Sequence, residues 1–413
     1  MRRGVPFDTA LARNLGELPD VDRRLVHEIA VGVLRQSQAL DDLLAQFISR
    51  GINSVAVPLL DLLRVGTYQL RFLDRVPPHA AVATTVALAR ELINERAAGF
   101  ANAVLRRVAA LPRDTVGARL AVPIVDDASH PAWLVNRWRA RFGDGDTDAL
   151  LTWNNTHPSL VLQPTRGTVA DLAIMLREHG ISCAEAPYAA GVIVQESRPE
   201  RLPGFDAGDF FVQDPAQALV VRFADFPADA LVYDACAAPG GKLLGLSFRT
   251  RDVVAADRSR VRLRRVTENI ARAGRGTEHV IVADAAYPPI RQVGAYLLDA
   301  PCLGTGSFAR HPDARLRVTL EALLQLAAAQ RVLLDAAAER VMPGGVLCYA
   351  TCSLESEENE LQVDAFLERH RDFRRDPPAT IPNELLTAAG DLLTLPQRDR
   401  IDGGFAARLV RSS

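Results

Sequence analysis

Asp234-Ala235-Cys236-Ala237-Ala238-Pro239-Gly240-Gly241-Lys242 follows the short β-rich run 231–233, and this stretch decides how the C-terminal half folds. A strand that runs straight into a tight glycine turn lets the backbone approach a ligand closely. The turn is neither G-x-G-x-x-G nor G-x-x-x-x-G-K-[ST], so pyrophosphate and triphosphate ligands lose their usual signature. An acidic residue, Asp234, precedes the turn instead, which suits a nucleotide-like cofactor with an ammonium group at one end. Downstream, β-rich runs at 253–255, 280–282, 295–298 and 346–350 alternate with arginine- and alanine-rich helical stretches. That alternation predicts a parallel, doubly wound α/β sheet. Ligands in such sheets bind beyond the carboxyl ends of the strands. Asp234, Asp257, Asp284 and Asp299 stand at four consecutive strand ends. One of them alone reads as a helix cap; the set reads as a binding crevice, with Asp257 spaced as a ribose-binding carboxylate.

Upstream the texture changes twice. Between 20 and 111 the apolar residues recur at helical spacing, first as Leu25, Ile29, Val33 and Leu34, then as Leu59, Leu60, Leu63 and Tyr68. Pro77-Pro78 marks a loop, and 81–93 and 97–111 supply further helices of an all-α bundle. The stretch 132–225 mixes a helix at 133–142, a strand at 160–163, a helix at 169–179 and an apolar run at 191–195, a small α+β unit. A chain of 413 residues is expected to hold two or three domains, and these boundaries give 1–131, 132–225 and 226–413.

A formal net charge of −2 gives no global pull toward nucleic acid. Local clusters exist at Arg137, Arg139 and Arg141, and at Arg258, Arg260, Arg262, Arg264 and Arg265. Each is either a phosphate-contacting patch or a solvated helix face. All 48 basic residues but one are arginine, and the exception, Lys242, lies in the glycine turn. A compact point charge fits there where a planar, bulkier guanidinium does not. No signal-peptide pattern and no apolar run of about 18 residues are present, so neither export nor membrane insertion is expected. Five unevenly spaced cysteines suit a reducing cytoplasm rather than a disulfide framework.

Cys302, in Asp299-Ala300-Pro301-Cys302, and Cys352, in Thr351-Cys352-Ser353, follow strands and should open onto the same crevice. The run Ser356-Glu357-Glu358 reads as a helix start whose dipole favours a thiolate at Cys352. Cys183 and Cys348 read as inert packing residues. Cys302, Cys348, Cys352 and His311 lack C-x-x-C spacing, so no metal is expected.

The runs 234–242, Asp299-Ala300-Pro301-Cys302 with Gly304-Thr305-Gly306, Arg310-His311-Pro312-Asp313 and Thr351-Cys352-Ser353 resemble the RNA cytosine-5 methyltransferase family called RsmB, Sun or Fmu in bacteria and NSUN in eukaryotes, within the Nol/Nop/Sun superfamily. Phe210-Phe211-Val212-Gln213-Asp214 and Asp402-Gly403-Gly404-Phe405-Ala406-Ala407-Arg408 look like further family elements, and the N-terminal unit resembles a NusB-type RNA-binding domain, the arrangement of the branch that acts on 16S ribosomal RNA. The resemblance implies a class I, Rossmann-like methyltransferase domain that binds S-adenosyl-L-methionine. Asp234, Cys236, Ala237, Ala238, Pro239, Gly240, Gly241, Lys242, Asp257, Arg262, Asp284 and Asp299 would contact the cofactor or lie beside it. Cys352 would be the nucleophile, Cys302 would assist product release, Asp299 would hydrogen-bond the base edge and Lys242 would approach the same ring. Leu243 and Ala309 depart from the pattern, where relatives often have a hydroxyl residue and a second arginine.

Two cysteines suit the chemistry. Carbon 5 of cytosine is too electron-poor to attack a sulfonium methyl, but a thiolate added at carbon 6 makes the ring a nucleophile. Release then needs the carbon 5 proton removed and the thiolate expelled. The base must leave its stack to reach the pocket. DNA cytosine-5 enzymes use the cysteine of a Pro-Cys pair, here Cys302; the RNA-type pattern of the rest favours Cys352. A transfer RNA methyltransferase and a non-enzymatic NusB-like antitermination factor are the alternatives, and the second needs neither the aspartates nor the cysteine pair. A cytoplasmic monomer acting on ribosomal RNA is the expectation.

Overall fold

The computed structural model describes residues 7–15, 18–111, 129–196, 198–274 and 278–413. Packing divides the chain into two compact units, Met1–Thr156 with His311–Arg317, and His157–Arg310 with Val318–Ser413.

The first unit is helical. Its described helices are Phe7–Leu15, Asp20–Arg35, Ser37–Ala45, Val57–Phe72, Pro78–Leu92, Glu95–Ala110, Ala132–Phe142 and Asp144–Asn154. The proline pair ends the loop between Val57–Phe72 and Pro78–Leu92, as expected, and also starts the second of these helices. Pro77 is the N-cap and Pro78 the first helical residue, where a missing N–H costs nothing. The next helix is capped by Asn94, whose side chain accepts from Ala97 N at 2.9 Å. Leu44, Leu63, Ala81, Ala98, Ala101 and Leu105 pack into one core. Gly66 lets these helices close up: a β-carbon there would lie 2.9 Å from both Leu105 Cδ1 and Thr85 Oγ1. The short turn Pro312–Leu316 packs here too, because Arg315 donates to Asn155 Oδ1 at 2.7 Å and to the Asn154 carbonyl.

The second unit opens with four antiparallel strands, β1 (Leu160–Pro164), β2 (Cys183–Glu185), β3 (Val192–Val194) and β4 (Phe210–Val212), in the order β2-β3-β1-β4. One helix, Val169–Glu178, enters through a capping box between Thr168 and Asp171 and lays Leu172, Ala173 and Leu176 on Leu162, Val192 and Phe210. Helix Pro215–Ala224 leads to the second sheet. That sheet contains β5 (Leu231–Asp234), β6 (Asp252–Asp257), β7 (Glu278–Val282), β8 (Val293–Asp299), β9 (Val341–Thr351), β10 (Phe373–Arg375), β11 (Leu392–Thr394) and β12 (Gly404–Arg411). Its order is β10-β12-β9-β8-β5-β6-β7, with β11 also on β12.

Strands β5 to β9 are parallel, as the sequence alternation predicts. The sheet is nonetheless mixed, since β12 runs antiparallel to β9 from Phe405↔Thr351 to Val410↔Val346. The alternation of runs and helices carries no sign of this edge, because β10 and β11 are three residues long and β12 follows no crossover helix. Leu243 is fully buried in the core beneath the sheet with Leu219, Val253 and Leu297, so the departure at this position is a packing feature. Among the described residues no helix is long and apolar enough to cross a membrane.

Candidate active site

From β5 the chain steps outward through β6 to β7, then returns to β8 on the other flank of β5. At such a reversal the connecting loops diverge and leave a crevice at the strand ends. Asp234 closes β5 and Asp299 closes β8, one on each side of it. Asp257 closes β6, Asp284 lies two residues beyond β7, and Thr351 closes β9 with Cys352 next.

The glycine turn is pinned to its neighbours by backbone bonds, Ala235 N to the Leu297 carbonyl at 3.0 Å and Ala237 N to the Ala256 carbonyl at 2.9 Å. Cys236, Ala237, Ala238 and Pro239 therefore lie between the ends of β6 and β8. Gly240 takes φ +109° and starts helix Gly241–Ser247, a conformation that a side chain would strain. Asn269 Nδ2 donates to the Pro239 carbonyl at 3.3 Å.

Asp234 is 1% exposed, and neither of its oxygens has a side-chain hydrogen-bond partner among the described residues. Burial, with the Asp299 charge nearby, pushes its carboxyl up to about 8. Lys242 Nζ donates to Asp299 Oδ2 at 2.5 Å. Burial pulls the Lys242 ammonium down, but the Asp299 carboxylate outweighs it and the net shift is upward. One buried cation thus sits between two carboxyls and satisfies one of them.

The two sulfurs meet at 3.3 Å, Cys302 Sγ to Cys352 Sγ. A thiol hydrogen bond from Cys302 holds Cys352 below the ordinary thiol value despite burial, and the same contact pushes Cys302 up. Lys242 also lowers Cys352. The helix start that Ser356-Glu357-Glu358 suggests is a short turn, with the helix proper at Glu360–Arg369; the neighbouring thiol, not a dipole, is the largest cause of the lowering. Burial raises Cys236 strongly and takes Cys348 up to about 12.

Asp234, Lys242, Asp299, Cys302 and Cys352 thus form one cluster, within electrostatic reach of one another. Asp257 flanks it, accepting from Ser259 N at 2.7 Å and Arg262 Nη2 at 2.9 Å. Asp284 stands apart, exposed, and accepts from Ala286 N at 2.9 Å. Such a cluster offers a nucleophile, a second proton-carrying sulfur, a buried ion pair and an acidic pocket for a cation. Among the described residues no group of three or more metal-ligating side chains gathers.

Sequence reasoning missed the supports. Thr351 Oγ1 donates to Asn359 Oδ1 at 2.6 Å, and Asn359 Nδ2 to the Ser353 carbonyl at 2.9 Å, which shapes the turn after Cys352. Gly306 N donates to the Cys352 carbonyl at 2.9 Å, and Gly403 N to the Gly306 carbonyl at 2.8 Å. A β-carbon on Gly306 would meet the Gly403 carbonyl, so both glycines are needed for this approach. Arg310 bridges buried Asp214 and Asp402, with Nη2 2.6 Å from Asp214 Oδ2 and Nε 3.0 Å from Asp402 Oδ2. The family-like runs around Asp214 and Asp402 were the one signal for this network.

The chain matches family models described as 16S rRNA methyltransferase RsmB/F over residues 224–410, NusB family over 3–110, and RsmF/B-like ferredoxin-like domain over 130–199. It is 32% identical to the probable ribosomal RNA small subunit methyltransferase B of Synechocystis sp., covering 100% of this chain and 96% of that one. It is 36% identical to the ribosomal RNA small subunit methyltransferase B of Vibrio cholerae, with 90% and 87% covered, and 37% to that of Xanthomonas campestris, with 95% and 90% covered. Among solved structures, that of PH0851 superposes with a TM-score of 0.79 at 22% identity, over 96% of this chain and 92% of that one. NSun6 from Pyrococcus horikoshii with SFG gives 0.60 at 19%, over 68% and 98%. At these identities both structures speak to the fold.

Proposed function

Since the chain belongs to the 16S rRNA methyltransferase RsmB/F family, we propose that it methylates carbon 5 of a cytosine in small-subunit ribosomal RNA, with Cys352 as covalent nucleophile and Cys302 as the group that frees the product. The observation that carries this reading is the 3.3 Å contact between the two sulfurs, beside the Lys242–Asp299 pair.

The family's methyl donor is S-adenosyl-L-methionine, which when bound supplies an electrophilic methyl on a sulfonium sulfur. The unpartnered carboxylate of Asp234 fits its ammonium group. Gly240 and Gly241 let the backbone come close, Cys236 to Pro239 form the floor, and Asp257, oriented by Arg262, serves the ribose. Asp299 borders this pocket, and Asp284 lies outside it. Cys352 thiolate adds to carbon 6 while Asp299 hydrogen-bonds the base edge and stabilises its protonated form, and Lys242 keeps Asp299 in place. Carbon 5, now enamine-like, takes the methyl group. The carbon 5 proton then passes to Cys302, the C5=C6 bond re-forms, and Cys352 leaves as thiolate. A division of labour into RNA-binding parts at 1–131 and 132–225 and a catalytic part at 226–413, working as a cytoplasmic monomer, completes this reading; the helices at 132–154 pack with the first compact unit.

Methyl transfer from labelled donor to deproteinised small-subunit ribosomal RNA, with digestion and mass spectrometry of the nucleosides, tests the assignment. The expected product is 5-methylcytidine. A methyl on nitrogen 4, or incorporation into transfer RNA alone, would overturn it.

Asp234 gives a second expectation. At pH 6.5 its carboxyl is largely protonated and must ionise to pair with the cofactor's ammonium. Binding should therefore release about one proton and tighten roughly tenfold per pH unit up to about 8, where the cofactor's own amino group begins to lose charge. Calorimetry in two buffers of different ionisation heat reads the proton, and Asp234→Asn should abolish both the release and the slope. An unchanged slope in that variant would assign the ammonium to another group.

A further inference from the structure

The peptide groups on either side of Cys302 are held by one buried pair of side chains. Gln330, on helix Leu320–Arg340, donates Nε2 to the Pro301 carbonyl and to Glu358 Oε1, each at 2.9 Å. Leu303 N donates to Glu358 Oε1 at 3.0 Å and Oε2 at 3.2 Å. Glu358 and Gln330 are both 0% exposed, and the Tyr349 hydroxyl, from β9, donates to the Glu358 carbonyl at 2.6 Å. A buried carboxylate is costly unless hydrogen-bonded, and here its bonds converge on the backbone around one cysteine.

We infer that Glu358, steadied by Gln330, is a positioning residue for Cys302: it fixes where the thiol points and, through its negative charge, makes that sulfur a stronger base for freeing the methylated product. This rests on the proposed two-cysteine reaction. In the release step the C5–H bond breaks toward the Cys302 thiolate, its electron pair becomes the C5=C6 bond, and the C6–S bond breaks with its pair left on Cys352. Cys302 ends as thiol and Cys352 as thiolate, the order in which their opposite shifts place the two sulfurs. Between addition and release, with Cys352 tied up as a thioether, the Cys302 proton is lost to water.

The titratable groups facing Glu358 are Cys302 and Cys352 from the two strand-end loops, Tyr349 from β9 and Glu355 from its own turn, with Lys242 and Asp299 beyond the sulfurs. Burial raises the Glu358 carboxyl to about 7, so it is charged at the alkaline pH where release by a thiolate is fastest. Its charge raises Cys302, and removing it lowers Cys302.

The test follows a covalent RNA–protein adduct in single-turnover reactions of the full chain, with its decay measured against pH. Glu358→Gln should still form adduct, with the formation profile displaced to lower pH because Glu358 also raises Cys352, lose that adduct about tenfold more slowly at the alkaline plateau, and show a decay midpoint about one pH unit lower. Gln330→Met keeps the charge and frees the loop, so its decay should slow with the midpoint unmoved. Wild-type decay in Glu358→Gln, or slower decay without a shifted midpoint, would overturn the inference. Should Glu358→Gln fail to fold by its thermal midpoint, wild-type decay in Gln330→Met overturns it instead. Cys302→Ala separates the two levels: if that variant clears its adduct as fast as wild type, the two-cysteine reaction is wrong, and the inference falls with it.

Discussion

Replacing Cys352 by alanine is expected to abolish both methyl transfer and the covalent adduct, a loss of roughly 10⁵-fold or more, the scale seen when a covalent nucleophile is removed. Replacing Cys302 by alanine should act in the opposite sense on the adduct: RNA stays attached to Cys352 and accumulates on a denaturing gel. The asymmetry follows from the 3.3 Å sulfur contact. The contact lowers Cys352 and raises Cys302, so Cys352 is the sulfur that gives up its proton first. Removing the donor lets the Cys352 value rise again, so Cys302→Ala should also form its adduct more slowly at neutral pH, with its profile displaced to higher pH. Because release is blocked, the slow adduct still builds up. If Cys302→Ala gives no adduct while Cys352→Ala accumulates one, the roles are reversed and the Pro-Cys cysteine is the nucleophile, as in the DNA enzymes.

The parallel core and its crevice were legible because each strand end announces itself: a β-rich run, an aspartate, then a turn. Asp234, Asp257 and Asp299 satisfy that pattern and lie in or beside the site; Asp284 satisfies it too, yet its side chain turns to its own loop at Ala286. Spacing along the chain marks a strand end but not the direction of a side chain. The supports were illegible for a different reason. Arg310 meets Asp214 and Asp402 across 96 and 92 residues, and Glu358 meets Leu303 across 55, so no local pattern signals these partners. The antiparallel edge was missed because β12 is buried along most of its length and follows two three-residue strands, leaving neither alternation nor a crossover to read. Lys242 was the exception among buried polar groups, since a lone lysine in an arginine-rich chain is conspicuous by composition.

That lysine leads to the other large effect. Asp299→Asn should lower the rate of adduct formation by about 10²- to 10³-fold, the usual consequence of losing a group that stabilises charge developing on the reacting ring. As the thiolate adds to carbon 6, negative charge builds on the base and its edge takes up a proton; the Asp299 carboxylate accepts from that N–H and stabilises the adduct, whereas a neutral amide cannot offset the charge. Loss of stability accompanies the change, because Lys242 keeps its burial and loses its carboxylate partner. Breaking a fully buried ion pair costs about 3–5 kcal/mol. With Asp299 about a third exposed the cost here falls below that range. Denaturant midpoints account for this part, and adduct kinetics in fully folded protein for the other. The two cysteines make the kinetics decisive. In a Cys302→Ala background nothing clears the adduct, so its rate of appearance reports addition alone. If Asp299 acts at addition, Cys302→Ala with Asp299→Asn builds adduct hundreds of times more slowly than Cys302→Ala by itself. Equal rates would leave Asp299 as only the anchor of Lys242, and the group that stabilises the protonated base edge would have to come from elsewhere in the crevice.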